Sequence, residues 1–351
     1  MSDLFERVRQ SADYMPFSQV DFQMKKSFGK GWEKHFSKFE KSPFAAASIG
    51  QVHRATDVHG NKLAVKIQYP QIDTSIDSDI QNLKMLLPLL RLPREAFLDE
   101  CIEQVRKELV LETNYLREAK YQSLMRSHFN EDLVVKIPKV YDELTSKHVL
   151  TSEMIENALT LDECSQLDQE TRNFIARQMI RICFDQLFGL QILQTDPNWS
   201  NYFWDPKNSK IWMIDFGATR KYQPEYMNKY IEIINASVNL DREKILKLSQ
   251  DIGYLTGYES KEMNESHINA VIALGEFIRE PGEFDFQNHQ AMKSIVKNDV
   301  PVFLKHRLKP PPDEVYSMDR ATLGVVLTGA KLKAKCHSRD LWTATYNNYH
   351  N

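Results

Sequence analysis

A lysine, two aspartates and an asparagine at positions 66, 196, 201 and 215 are the side chains of this chain best suited to chemistry. Reactions of a magnesium-bound phosphate chain need a cation for the phosphate oxygens, oxygen ligands for the metal and a carboxylate near the point of attack. These residue types supply each part. Lys66 lies in Ala64-Val65-Lys66-Ile67, where apolar neighbours pack its stem and leave the ammonium to reach phosphates. Asp196 stands five positions before Asn201 in Gln194-Thr195-Asp196-Pro197-Asn198-Trp199-Ser200-Asn201. This spacing lets the aspartate orient a nucleophile while the asparagine binds metal. Fourteen residues beyond Asn201, the apolar run Ile211-Trp212-Met213-Ile214 ends in Asp215-Phe216-Gly217, from which the aspartate chelates magnesium. A lone strand lysine is usually a solvated edge residue, and a lone Asp-Phe-Gly a capped turn. The four residues in this order argue against both readings.

That order is the order of a protein kinase. A lysine facing phosphates is usually positioned by a glutamate on a long helix, and Glu108, Glu112 and Glu118 are the candidates. Glu108 and Glu112 share one helix face, whereas Glu118 lies about 120° round from Glu112 at 100° per residue. The sequence does not choose among them.

The elements that must hold these residues follow from periodicity. Residues 1–41 carry aromatic residues at loosely helical spacing and form a helical preface. Ile49–Ala55 and Lys62–Gln68, divided by Asp57-Val58-His59-Gly60-Asn61, form a hairpin. Helices are expected at roughly 72–90 and 96–127, then strands at Val134–Tyr141 and His148–Ile155. Beyond Thr160 the chain is mainly helical, apart from a β-loop-β passage over Gln191–Phe216. The expected class is α+β: a two-lobed, protein-kinase-like fold with an extension at 1–41, a small sheet-containing lobe at 42–156 and a helical lobe at 157–351.

Composition sets outer limits. With 351 residues the chain suffices for one two-lobed domain, and its formal charge of −3 gives no reason to expect nucleic acid. Cys101, Cys164, Cys183 and Cys336 stand far apart without a Cys-x-x-Cys pair, so neither a zinc site nor a disulfide framework is indicated. Apolar runs such as Met85–Leu90 fall far short of the roughly 20 residues that span a bilayer. The first residues show neither a secretory signal nor a transit peptide. Two basic groups, Lys305-His306-Arg307 with Lys309, and Lys331, Lys333 and Lys335, form either a solvated helix face or a surface for anionic lipid head groups.

One stretch names a family. Pro43-Phe44-Ala45-Ala46-Ala47-Ser48-Ile49-Gly50-Gln51-Val52-His53 stands where a kinase has its glycine-rich loop, and it resembles the UbiB/ADCK family. Lys66-Ile67-Gln68-Tyr69-Pro70, Asp215-Phe216-Gly217-Ala218-Thr219-Arg220, Leu255-Thr256-Gly257-Tyr258-Glu259 and Pro310-Pro311-Pro312 extend the similarity over nearly the whole chain. More narrowly, the chain looks like the mitochondrial members that support coenzyme Q (ubiquinone) biosynthesis.

The resemblance implies that Ala45, Ala46, Ala47, Ser48 and Lys66 meet ATP or ADP, and that Glu153, Met154, Ile155 and Glu156 form the adenine-side hinge. It implies that Glu118 pairs with Lys66, that Asp196 is the acid/base position, and that Asn201 and Asp215 bind Mg2+. It further implies coenzyme Q biosynthetic enzymes as partners and the matrix side of the mitochondrial inner membrane as location. Two departures stand out. The family's Glu-x-Asp motif reads Glu112-Thr113-Asn114 here, and no Lys-x-Gly-Gln segment precedes Ala45. A shortened form of a longer protein is therefore expected. Gln194-Thr195 replaces the His-Arg of ordinary kinases, no Ala-Pro-Glu follows Gly217, and a helical pattern resumes near Tyr226, which leaves little backbone for a peptide-substrate platform. The expected activity is ATP hydrolysis or small-molecule phosphorylation; the alternative is a nucleotide-binding pseudokinase scaffold.

Overall fold

The computed structural model describes residues 14–86, 98–196, 198–288 and 294–350. The chain forms two compact units, one built from the residues up to Leu83, Val105–Ala158 and Asp205–Ala218, the other from Lys84–Gln104, Leu159–Trp204 and the remainder.

In the first unit, helix α1 (Phe17–Phe28) and strands β1 (Phe36–Phe39), β2 (Ala45–Ala47), β3 (Gly50–Asp57), β4 (Lys62–Gln68) and β6 (Val149–Glu153) are the main pieces. The strands form an antiparallel sheet in the order β1-β3-β4-β6, with β2 paired to β3. Alternation along β4 decides which face carries chemistry. Leu63, Val65 and Ile67 are fully buried against Val20, Met24, Trp32 and Phe36, so Lys66 points to the opposite face. The preface is thus not wholly helical: Phe36–Phe39 is a strand, because its aromatic residues join Trp32 in this core.

Two further expectations are corrected. Helix α2 spans Ile72–Leu86, and residues 87–90 of the expected helix lie outside the described residues. The long second helix is in fact two, α3 (Leu98–Glu112) and α4 (Tyr115–His128). The break falls at Asn114, whose extended backbone (φ −105°, ψ 90°) and side chain, accepting from Arg117 N at 3.3 Å, cap the start of α4. The expected strand over Val134–Tyr141 shrinks to β5 (Val135–Lys136), parallel to β10 (Lys210–Met213). Pro138 has no amide hydrogen to continue a ladder; its carbonyl instead accepts from Gln122 Nε2 at 2.8 Å.

The second unit pairs β7 (Leu159–Thr160) with β9 (Tyr202–Asp205), and β8 (Ile192–Gln194) with β11 (Thr219–Lys221). A capping box between Thr160 and Glu163 starts the short helix α5 (Leu161–Cys164), and Asp168 caps α6 (Gln169–Phe184). The rest is helical: α7 (Pro224–Val238), α8 (Arg242–Ile252), α9 (Lys261–Leu274), α10 (Glu276–Arg279), α11 (Val300–His306), α12 (Asp313–Lys331) and α13 (Arg339–His350), with β12 (Phe284–Asp285) on β13 (Lys335–Cys336).

His267 on α9 is buried, its Nε2 at 2.9 Å from Ser249 Oγ and its ring 5.1 Å from Tyr254. Burial, aided by the Arg307 charge, pushes its pKa from 6.5 down to about 3. The unfolded chain therefore takes up a proton that the folded chain refuses, so this contribution to stability is full above pH 6.5 and is lost as the pH falls toward 3. His267→Gln is expected to flatten the acid limb of the stability curve across that window. Urea midpoints between pH 7 and pH 4 check this; an equal loss in both proteins would count against it.

Candidate functional site

Lys66 is anchored on β4 opposite Leu150 of β6 and Val52 of β3. Its Nζ meets Glu118 Oε1 at 2.9 Å, Glu118 Oε2 at 3.1 Å and Asp215 Oδ2 at 3.5 Å. The Tyr115 ring lies 5.1 Å away. Of the three candidate glutamates, then, Glu118 in the first turn of α4 reaches the lysine. Side-chain exposure is 14% for Lys66, 3% for Glu118 and 33% for Asp215, so only the aspartate is left substantially accessible.

Burial works against the Lys66 charge, but the Asp215 and Glu118 carboxylates outweigh it and hold the ammonium well above its usual pKa. Burial likewise raises Glu118, to about 7, against the pull of Lys66 and with the Asp215 charge adding to the rise. Two carboxylates, Glu118 buried and Asp215 partly exposed, thus compete for one ammonium, an arrangement that a further cation beside Asp215 would relieve.

Asp215 follows β10 with a left-handed φ of 59°, which a short polar residue tolerates, and its Oδ1 accepts from Gly217 N at 3.2 Å. Phe216 is fully buried. The alanines of the loop adopt an unexpected form. Ala45, Ala46 and Ala47 are strand β2, registered against Val52, Gln51 and Gly50, and none of the residues from Ala45 to Ile49 has a positive φ. Ser48, at the turn, donates to Glu112 Oε2 at 3.3 Å. Toward the expected hinge, Glu153 N donates to Lys139 O at 2.8 Å and Met154 N to Lys62 O at 3.0 Å, while Glu156 pairs with Lys62 at 2.7 Å. Two of the hinge amides are therefore consumed within the unit; Ile155 stands between them and Glu156.

In the second unit, Asn201 Nδ2 donates to Asp196 Oδ2 at 2.8 Å, and Asn198 N to Asp196 Oδ1 at 3.2 Å. Asn201 is buried. Because its amide nitrogen is committed to Asp196, its oxygen is the atom left to face a cation.

The sequence profile described as "ABC1 atypical kinase-like domain" matches residues 7–249. The chain belongs to the ABC1 atypical kinase-like family. It is 42% identical to "Atypical kinase COQ8B, mitochondrial" of Danio rerio over 350 residues, 99% of this chain and 56% of that protein. It is 40% identical to the Rattus norvegicus protein of the same name, across 65% of that protein, and 36% identical to "Atypical kinase COQ8, mitochondrial" of Saccharomyces cerevisiae, across 68%. The chain spans roughly half to two thirds of the length of these curated relatives. A solved structure titled as the complex of Rv3197 and erythromycin from Mycobacterium tuberculosis shares the fold, with a TM-score of 0.70 at 21% identity over 96% of this chain and 84% of that one. The α+β, protein-kinase-like class and the UbiB/ADCK resemblance expected from sequence both hold.

Sequence reasoning missed several residues of this ABC1 chain that contact the candidate segments within each unit. Arg117, the neighbour of Glu118, donates to Gly217 O at 2.6 Å, while Glu118 holds the Lys66 ammonium that stands 3.5 Å from Asp215 Oδ2. Tyr115 lies under Lys66 with a buried hydroxyl that has no hydrogen-bond partner among the described residues. Arg320 of α12 donates to Thr195 O at 3.2 Å, just before Asp196. All three depend on contacts far apart in sequence, and no local signal marks them.

The basic groups do not form one helix face. Lys331 ends α12, where it pairs with Asp162 and lies 3.6 Å from the Trp199 ring centre. Lys335 pairs with Asp285 at 3.1 Å, and His306 lies 3.8 Å from Glu262. Among the described residues, no helix is long and apolar enough to cross a membrane.

Proposed function

We propose that this ABC1 chain is a magnesium-dependent, ATP-binding enzyme that hydrolyses ATP or phosphorylates a small molecule in support of coenzyme Q biosynthesis, in mitochondria, at the matrix side of the inner membrane. Lys66 takes the phosphates, Glu118 positions it, Asp215 and Asn201 supply oxygen ligands to Mg2+, and Asp196 is the acid/base group. Ala45, Ala46, Ala47 and Ser48 cover the phosphates, and the Glu153–Glu156 segment meets the adenine. The observation that carries this reading is the Lys66–Glu118 pair with Asp215 Oδ2 at 3.5 Å. The donor set fits the ion, since Mg2+ prefers hard oxygen ligands such as carboxylate and amide oxygen. The mitochondrial relatives support the pathway and the compartment. Coenzyme Q biosynthetic enzymes are the proposed protein partners, with anionic lipid head groups as a surface contact.

Protein phosphorylation is disfavoured on backbone grounds. Between Gly217 and the start of α7 at Pro224, the strand β11 takes up Thr219–Lys221 and is paired to β8. Little chain remains to form a platform for a peptide. Phosphate release by the purified protein separates an enzyme from a nucleotide-binding scaffold: release by wild type and its loss in Asp215→Asn are expected. A wild type that binds nucleotide without turnover would favour the scaffold, and stoichiometric phosphorylation of an added protein by wild type but not by Asp215→Asn would overturn the acceptor class.

The alanine hairpin sets nucleotide preference in this account. Cβ atoms hold Ala45–Ala47 in extended backbone, whereas glycine frees left-handed conformations that turn amides toward phosphate. Ala45→Gly, Ala46→Gly and Ala47→Gly are each expected to change the ratio of ATP to ADP affinity, measured by calorimetry. Unchanged ratios in all three variants would contradict the role given to the hairpin.

A further inference from the structure

The first unit holds a half-open cavity of about 360 Å³ away from the Lys66 cluster. Its walls come from the end of α4, from β5 and β10, and from the end of β6. The parallel register of β5 and β10 sets Lys136 beside Trp212, and both line the cavity with Phe129 and Arg126. This volume lies in the range of small-molecule sites, which pair apolar walls with a few convergent polar groups.

The charges of the lining are unequal in what they offer. Asp205 is spent on its own turn, accepting from Lys207 N at 3.0 Å, Asn208 N at 3.1 Å and Asn208 Nδ2 at 2.7 Å. Glu153 Oε2 accepts from Lys139 N at 3.1 Å and stands 3.7 Å from Arg126. Lys210 donates to Leu133 O, so its charge has no carboxylate against it there. The Lys136 side chain, unlike its backbone in the β5–β10 ladder, has no hydrogen-bond or ion-pair partner among the described residues. Cationic groups thus outnumber the anionic ones, and the latter are largely satisfied by backbone amides and a neighbouring amide side chain, while an indole and a phenyl ring supply flat apolar wall.

We propose that this cavity is a binding site for a small planar anion, an aryl carboxylate in chemical class, with its carboxylate at Lys136 and Arg126 and its ring against Trp212. The site has a physical route to α4. Glu118, Gln122 and Arg126 are spaced by four along that helix and form one ridge. Glu118 holds Lys66, Gln122 donates to Pro138 O at 2.8 Å and Ser152 Oγ at 3.0 Å, and Arg126 donates to Ile137 O at 2.5 Å. A ligand on Arg126 therefore loads the last member of the ridge whose first member positions the lysine.

Calorimetric titration of the full chain with naphthoate tests the proposal, with naphthylmethanol as the uncharged control and acetate as the non-aromatic one. Saturable naphthoate binding is expected, with neither control bound. A loss of about tenfold in affinity is expected in Lys136→Met, a substitution that breaks no side-chain hydrogen bond or ion pair among the described residues, and in Trp212→Leu. Lys66→Ala should bind naphthoate as wild type does, and naphthoate should slow amide exchange along α4. Absence of saturable binding, equal affinity in wild type and both cavity variants, or loss of binding in Lys66→Ala alone would overturn it.

Discussion

Removing the Glu118 carboxylate by Glu118→Ala is expected to destabilise the first unit by about 3–5 kcal/mol, the usual cost of stranding one partner of a buried ion pair. Lys66 would keep only Asp215 at 3.5 Å as an ion-pair partner, while its side chain, 14% exposed, pays the same desolvation. The double replacement Lys66→Met/Glu118→Leu should recover most of that loss, because burying two apolar groups of similar volume avoids the desolvation that the pair suffers. The test is a double-mutant cycle in urea, read at unchanged m value. A cost below about 1 kcal/mol for Glu118→Ala would show that the pair behaves as a solvated surface contact.

Gly50→Ala is the second large effect. A Cβ at this position would overlap the Ile67 carbonyl oxygen and stand 3.0 Å from its carbonyl carbon and 2.9 Å from Tyr115 Oη. These neighbours are strand backbone and a buried ring, so they cannot yield without opening the β3–β4 ladder, in which Gly50 faces Gln68. A cost of about 3 kcal/mol, the upper end for overpacking, is expected, together with a displaced β2–β3 hairpin. Gly189→Ala is the control: nothing lies within 4 Å of its added Cβ, and it should change stability by less than about 1 kcal/mol. Equal melting temperatures for Gly50→Ala and wild type would refute the close approach.

The chemistry of the chain was more legible than its element boundaries, for reasons that particular residues show. Leu63, Val65 and Ile67 alternate strictly, so β4 and the outward position of Lys66 follow from period alone. The choice among Glu108, Glu112 and Glu118 did not follow, because the angular argument assumed one helix through all three. Asn114 breaks that helix between Glu112 and Glu118, so no single wheel relates them. In the surrounding Leu-, Glu- and Arg-rich run, one asparagine looks like a tolerated helix residue, and its capping role appears only once its backbone is seen to be extended. Val134–Tyr141 has the apolar content of a strand, yet Pro138 interrupts it, leaving Val135–Lys136 on β10 and a single bridge from Val140 to Ser152. The alanine segment is a paired strand rather than an open loop, since its register with Val52, Gln51 and Gly50 depends on the neighbouring sheet. Arg117 and Arg320 brace their loops from helices 100 and 125 residues away in sequence, a distance over which no periodicity speaks.

The central claim is that Lys66, Asp215 and their partners bind a magnesium nucleotide. Isothermal titration of the folded chain with ADP and ATP, with and without Mg2+, tests it most directly. Saturable binding that requires Mg2+ and is lost in Lys66→Ala and Asp215→Ala, both folded by circular dichroism, is the predicted result. Absence of magnesium-dependent uptake by wild type, or undiminished uptake by both variants, would contradict it.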